Sequence, residues 1–163
     1  HGGSVSARSD GPGQGSTFTV RIPAVPAPPD ERPPSPAETD QGLREGLRVL
    51  VVDDNQDTAR GMVRLLTIVG LDVQTAFDGP SAIEAARRHR PDFILLDIGL
   101  PVMDGYEVAR QLRAEGFSDS IIIAISGYGE ESARQQSREA GFDHHLVKPV
   151  DPDELVDLMR KAP

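Results

Sequence analysis

None of the 163 residues is cysteine. That excludes a disulfide framework and a cysteine-based zinc site. The composition fits a reducing compartment, and a cytoplasmic location is expected. Lysine is also scarce. Of seventeen Lys and Arg residues, only Lys148 and Lys161 are lysine. Arginine carries the general surface charge, so a lysine inside the apolar stretch before Pro149 looks selected. It offers a compact ammonium where arginine offers a flat fork. No apolar run approaches the length of a membrane span and no signal peptide is visible, so no direct membrane contact is expected. There is no basic stripe, and the formal net charge is −9. Such a chain is a poor partner for nucleic acid or an anionic membrane surface. It opens on His1 rather than Met, and is expected to be a fragment of something longer.

Hydrophobic residues make up 37% and charged residues 26%, enough for one ordinary globular domain with some chain left over. The composition shifts near residue 46. Seven prolines fall between residues 23 and 36, and residues 24–46 are expected to form an extended, semi-rigid linker. Before it, Ser4-Val5-Ser6-Ala7-Arg8 and Ser16-Thr17-Phe18-Thr19-Val20-Arg21-Ile22 alternate weakly in the strand period around a glycine-rich loop. Residues 1–23 therefore read as a hairpin, too small to be stable alone.

Residues 47–161 carry a strand–helix alternation repeated five times. Strands are expected at about 47–53, 71–76, 92–97, 120–126 and 143–148, and helices at about 56–69, 80–89, 104–115, 130–140 and 152–161. Met62, Leu65, Leu66 and Val69 share one face of the first helix, and Gly70 stops it. Pro80 opens the second helix. Asp151 caps the fifth, with Glu154 at capping-box spacing. The fourth has little apolar anchorage beyond Ala133 and Ala140 and is expected to be loosely held. Strands one, three and four are nearly continuous apolar runs, the pattern of a parallel sheet covered on both faces. Right-handed crossovers make this an α/β, doubly wound sheet, which takes ligands outside the carboxyl ends of its strands.

Three of the runs end on charge: Asp53-Asp54 after Val52, Asp97 after Leu96, and Lys148 after Val147. On neighbouring strands these groups converge at one sheet edge. Two adjacent carboxylates and a third beside them make a hard oxygen site suited to magnesium. Asp97, alone on its strand end, is the natural nucleophile toward phosphorus. Lys148 then neutralises charge on phosphoryl oxygens, and Ser126 hydrogen-bonds one of them. Each residue also has a plainer reading: Asp53-Asp54 as a helix cap, Asp97 as a loop cap, Lys148 as a solvated strand end, Ser126-Gly127 as a turn. Their joint placement in matching order favours the site.

Residues 47–161 resemble a receiver domain of two-component signalling. The matching pieces are Val51-Val52-Asp53-Asp54-Asn55, Leu95-Leu96-Asp97 through Met103-Asp104-Gly105, Ala124-Ile125-Ser126-Gly127 and Val147-Lys148-Pro149. The resemblance implies a five-stranded, flavodoxin-like sheet of order 2-1-3-4-5. It implies phosphorylation of Asp97 by a phosphohistidine donor, either a histidine kinase core or a histidine phosphotransfer protein. Mg2+ would be held by Asp53, Asp54, Asp97 and the Gly99 carbonyl, Lys148 would contact the phosphoryl group through a cis Lys148-Pro149 turn, and Ser126 would fill the switch position. Gly99 and Tyr128 stand where the family tunes phosphoryl lifetime. His145 stands where the family often has Tyr or Phe. It either swings inward as a switch or is a half-buried strand residue. The ends of residues 1–23 are similar to the closing hairpin of a histidine-kinase ATP-binding domain, without its nucleotide-binding boxes. The expectation is a receiver from the C-terminal end of a hybrid sensor histidine kinase, not an enzyme in its own right. The competing reading is a magnesium-dependent aspartyl-phosphate phosphatase. Such enzymes usually carry a second Asp two residues after the nucleophile, and Gly99 stands there.

Overall fold

The computed structural model describes residues 2–23, 46–127 and 131–161. The expected proline-rich linker lies outside these residues except for Gly46, and Tyr128 lies outside them too. The described elements fall in two separate units of the chain.

In the first unit, β1 (Ser4–Arg8) pairs antiparallel with β2 (Thr17–Arg21), with Val5 opposite Val20 and Ala7 opposite Phe18. The period-two alternation puts these four residues on one face of the ribbon. Val5, Phe18, Val20 and Ile22 are all exposed.

The second unit is a parallel sheet with helices on both faces. Its elements are β3 (Arg48–Val52), α1 (Gln56–Ile68), β4 (Asp72–Ala76), α2 (Gly79–His89), β5 (Phe93–Asp97), α3 (Gly105–Ala114), β6 (Ile121–Ser126), α4 (Glu131–Ala140), β7 (His144–Val147) and α5 (Pro152–Lys161). The strand order is β4-β3-β5-β6-β7, which is 2-1-3-4-5 counted from the first parallel strand. The continuous apolar runs follow from burial on both sides. Leu50, Val52, Ile94, Leu96, Ile122 and Ala124 pack in one core with residues of α2 and α3. Their alternates Val49, Val51, Phe93, Leu95, Ile123 and Ile125 pack in the other with Leu66 of α1 and Leu155 and Met159 of α5. The polar β4 lies at one edge of the sheet.

Helix ends follow local chemistry. Asp78 caps α2 by accepting the Ser81 N–H, ahead of Pro80. Asp151 accepts the N–H of Asp153 at 2.8 Å. α1 ends one residue earlier than its apolar face suggests. Gly70, at φ +87°, turns the chain so that Gly70 N–H reaches Thr67 O and Leu71 N–H reaches Leu66 O. Leu71 takes the buried place, and Val69 is left exposed. α4 buries only Ser137 and Ala140, with Ala133 half-buried.

Arg113 on α3 ties several segments together. It donates to the carbonyls of Gly141, Phe117 and Ser120, and to Asp143 Oδ2 at 2.6 Å. That same oxygen accepts the Ile122 N–H at 2.7 Å.

Candidate functional site

β3 and β5 are neighbours, although a strand and two helices separate them in sequence, and Val52 is in register with Leu96. The strand order reverses between them, so the residues just past Val52 and Leu96 face one crevice. Asp53 and Asp97 are both buried, while Asp54 is exposed. One carboxylate oxygen from each of the three lies within 4.8 Å of the others. Lys148 reaches the same place from the end of β7, where its N–H donates to Ser126 O at 2.7 Å. The Lys148–Pro149 peptide is cis.

The two buried carboxylates are held alike. Asp53 Oδ1 accepts the Asn55 N–H at 2.8 Å, and Asp97 Oδ1 accepts the Gly99 N–H at 3.0 Å. Each is a local turn closed on the backbone two residues ahead. Their other oxygens share one donor, with Lys148 Nζ 3.0 Å from Asp53 Oδ2 and 2.8 Å from Asp97 Oδ2. Burial alone pulls the Lys148 ammonium downward. Hydrogen bonds to Asp97 and Asp53, and their charges, outweigh it and hold the group above its ordinary value.

Formally, three carboxylates against one ammonium leave two negative charges, the deficit that a divalent cation balances. The donors are all oxygen, one carboxylate opens to solvent, and the cluster is small. These features fit magnesium, which binds through one or two carboxylates and keeps waters as other ligands.

The loop beyond Asp97 is shaped around it. Gly105 opens α3 beside the end of β5, with its N–H on Ile98 O at 3.0 Å. A Cβ there would lie 2.4 Å from the Asp97 carbonyl oxygen, so only glycine fits. Between them, Met103 N–H bonds Pro101 O at 2.8 Å around Val102, whose φ is +70°. This is a γ-turn of the rare positive-φ kind, here on a β-branched and wholly exposed residue.

On the other side Ser126 is buried at the end of β6, with Oγ 3.2 Å from His145 Nε2. The His145 ring lies between Ser126 and Ser137 of α4, whose Oγ is 2.8 Å from Nδ1. The structure thus brings Asp53, Asp54, Asp97 and Lys148 together and links Ser126 to His145. Sequence reasoning passed over two residues. Asn55, not Asp53 or Asp54, caps α1 by accepting the N–H groups of Asp57 and Thr58. Ser137 is the other, although the spacing of Ala133, Ser137 and Ala140 places it on the helix's inner face.

The family model for the response regulator receiver domain matches residues 49–160. The chain belongs to that family. The receiver domain is 43% identical over 109 residues to the transcriptional regulatory protein PrrA of Mycobacterium tuberculosis, a match covering 67% of this chain and 46% of that protein. The chain thus spans about half the length of the curated relatives it matches. Among solved structures it resembles the chemotaxis response regulator CheY4 of Vibrio cholerae, with 28% identity and a TM-score of 0.68 over 72% of this chain and 98% of that one. It also resembles the receiver domain of the sensor histidine kinase PA1611 from Pseudomonas aeruginosa PAO1. The match has 33% identity and a TM-score of 0.66, over 72% of this chain and 97% of that one. That structure carries a magnesium ion coordinated in its active-site cleft.

Proposed function

We propose that this receiver domain accepts a phosphoryl group from a phosphohistidine onto Asp97 in a magnesium-dependent step. The observation that carries this reading is Lys148 bridging Asp97 and Asp53 inside a three-carboxylate cluster. An Asp97 carboxylate oxygen attacks phosphorus, the phosphorus–nitrogen bond breaks, and the donor imidazole leaves. Gly99 N–H and Lys148 hold the carboxylate in one orientation for that attack. Magnesium, held by Asp53, Asp54, Asp97 and the Gly99 carbonyl, supplies charge neutralisation on the transferring group when bound. Lys148 then turns from Asp97 to a phosphoryl oxygen, and the Ser126 hydroxyl donates to another. Ser126 and His145 carry the resulting change toward α4.

The donor is a histidine kinase core or a histidine phosphotransfer protein, and this domain works in the cytoplasm as part of a hybrid sensor kinase, itself cytoplasmic or membrane-anchored. The amphipathic β1–β2 ribbon and the likeness to a receiver of a sensor histidine kinase support that context. The named relatives also include transcriptional regulators. The chain's net charge of −9 speaks against direct nucleic-acid contact.

The test is incubation with a small-molecule phosphodonor and magnesium, read by intact mass. One added phosphoryl group is expected, and it is lost in Asp97→Asn or on chelation. An adduct that survives Asp97→Asn would refute the site assignment.

A further inference from the structure

Ser137 is an unusual residue for the inward face of a helix that buries little else. It is 1% exposed, and its Oγ makes two contacts. It donates to Ala133 O, one turn back, at 2.9 Å. It also stands 2.8 Å from His145 Nδ1. A serine hydroxyl has a single proton. With that proton on Ala133 O, Ser137 accepts from His145, so Nδ1 carries the ring proton. In the neutral imidazole Nε2 is then an acceptor. Nε2 faces Ser126 Oγ at 3.2 Å. A continuous polar chain therefore runs from the strand end beside Asp97 into the backbone of α4.

We propose that Ser137 is a positioning residue of the phosphoacceptor site, clamping His145 so that its Nε2 competes with a phosphoryl oxygen for the Ser126 hydroxyl proton. The inference rests on the reading of Asp97 as phosphoacceptor and names how that site is regulated. While Ser126 donates to Nε2, the imidazole is fixed at both ends and α4 is seated against β7. When Ser126 donates to a phosphoryl oxygen, Nε2 loses the Ser126 hydroxyl as its donor. The ring turns away, its Nδ1 bond to Ser137 breaks, and α4 loses its buried polar tie. Seating of α4 and engagement of Ser126 by phosphoryl thus oppose each other.

The experiment measures binding of beryllofluoride, a phosphoryl analogue, at fixed magnesium by NMR titration. It also follows amide hydrogen exchange across residues 131–140 with and without the analogue. Ser137→Ala is expected to bind the analogue about fivefold tighter, the factor that the loss of one ordinary hydrogen bond in the competing state carries. Its α4 amides should exchange fast already without the analogue. His145→Phe should tighten binding by a similar factor, and adding Ser137→Ala to it should change nothing further, because Ser137 acts through the ring. Ser137→Cys replaces Ser137→Ala if the latter fails to fold. Affinity within twofold of wild type, weaker binding, or additive effects of the two substitutions would overturn the proposal. A purely structural role would speed exchange in α4 and leave affinity unmoved. A wild-type domain that does not bind the analogue at all would instead remove the reading of Asp97.

Discussion

The Lys148 ammonium donates to Asp97 Oδ2 at 2.8 Å, and Asp53 Oδ2 lies 3.0 Å from the same nitrogen. One cation thus separates two buried carboxylates that would otherwise repel. Lys148→Met removes the cation and keeps the apolar stem. We expect a loss of about 2 kcal/mol, below the 3–5 of a fully buried pair because the lysine side chain is 34% exposed. Millimolar magnesium should restore more stability to the variant than to the wild type. Urea unfolding with and without the ion measures this, and an equal ion effect on both proteins would argue against it.

Glu115, at the end of α3, is gripped by Arg87 of α2 at 2.7 and 2.5 Å. Hydrogen bonds from Arg87 and then Gln111 lower it from its ordinary 4.5 to about 2. A lowered folded-state value gives stability that is fully present above pH 4.5 and is lost as pH falls toward 2. The difference in Tm between wild type and Glu115→Gln should therefore be constant near neutrality and shrink between those two pH values. A difference that stays flat down to pH 2 would contradict the pairing.

Val102 sits at φ +70° with its side chain fully in solvent. Its Cβ gains no burial to offset the strain of the turn. Val102→Gly should stabilise the domain by about 1 kcal/mol, with the gain in glycine's unfolded-state entropy reducing it somewhat. Thermal unfolding should show a Tm higher by a few degrees. A lowered Tm would mean the turn is held for another reason.

Arg113 satisfies the carbonyls of Gly141, Phe117 and Ser120 and pairs with Asp143. Lysine cannot reproduce that fork. Both Arg113→Ala and Arg113→Lys should cost about 3 kcal/mol, since several acceptors lose their donor together. Chemical denaturation checks this. A Lys variant as stable as wild type would show that charge alone suffices.

Much of the fold was legible because both faces of the sheet are covered. Strands such as Phe93–Leu96 then become unbroken apolar runs, and a charge at their end stands out. Asp97 was visible for that reason, whereas Lys148 stood out because the chain has only two lysines. The cap of α1 was not, because Asp53, Asp54 and Asn55 are adjacent and all able to cap. Only the backbone direction shows Asn55 taking the role. Ser137 was hidden because a serine in a polar helix reads as solvent-facing, and its burial depends on where the His145 ring lies. The strain at Val102 was unreadable because Pro101 signals a turn without saying which sign φ takes next.

The glycine at 105 makes the two flanks of the site unequal in stiffness. Helix α3 begins hard against the backbone at the end of β5, where a single added carbon would meet the Asp97 carbonyl at 2.4 Å. That flank works as an anvil, closed up and unable to give. The opposite flank ends in α4, which has one serine and two alanines turned inward. On the proposed reading, a load placed on Asp97 would meet a stiff α3 flank and a more compliant α4 flank.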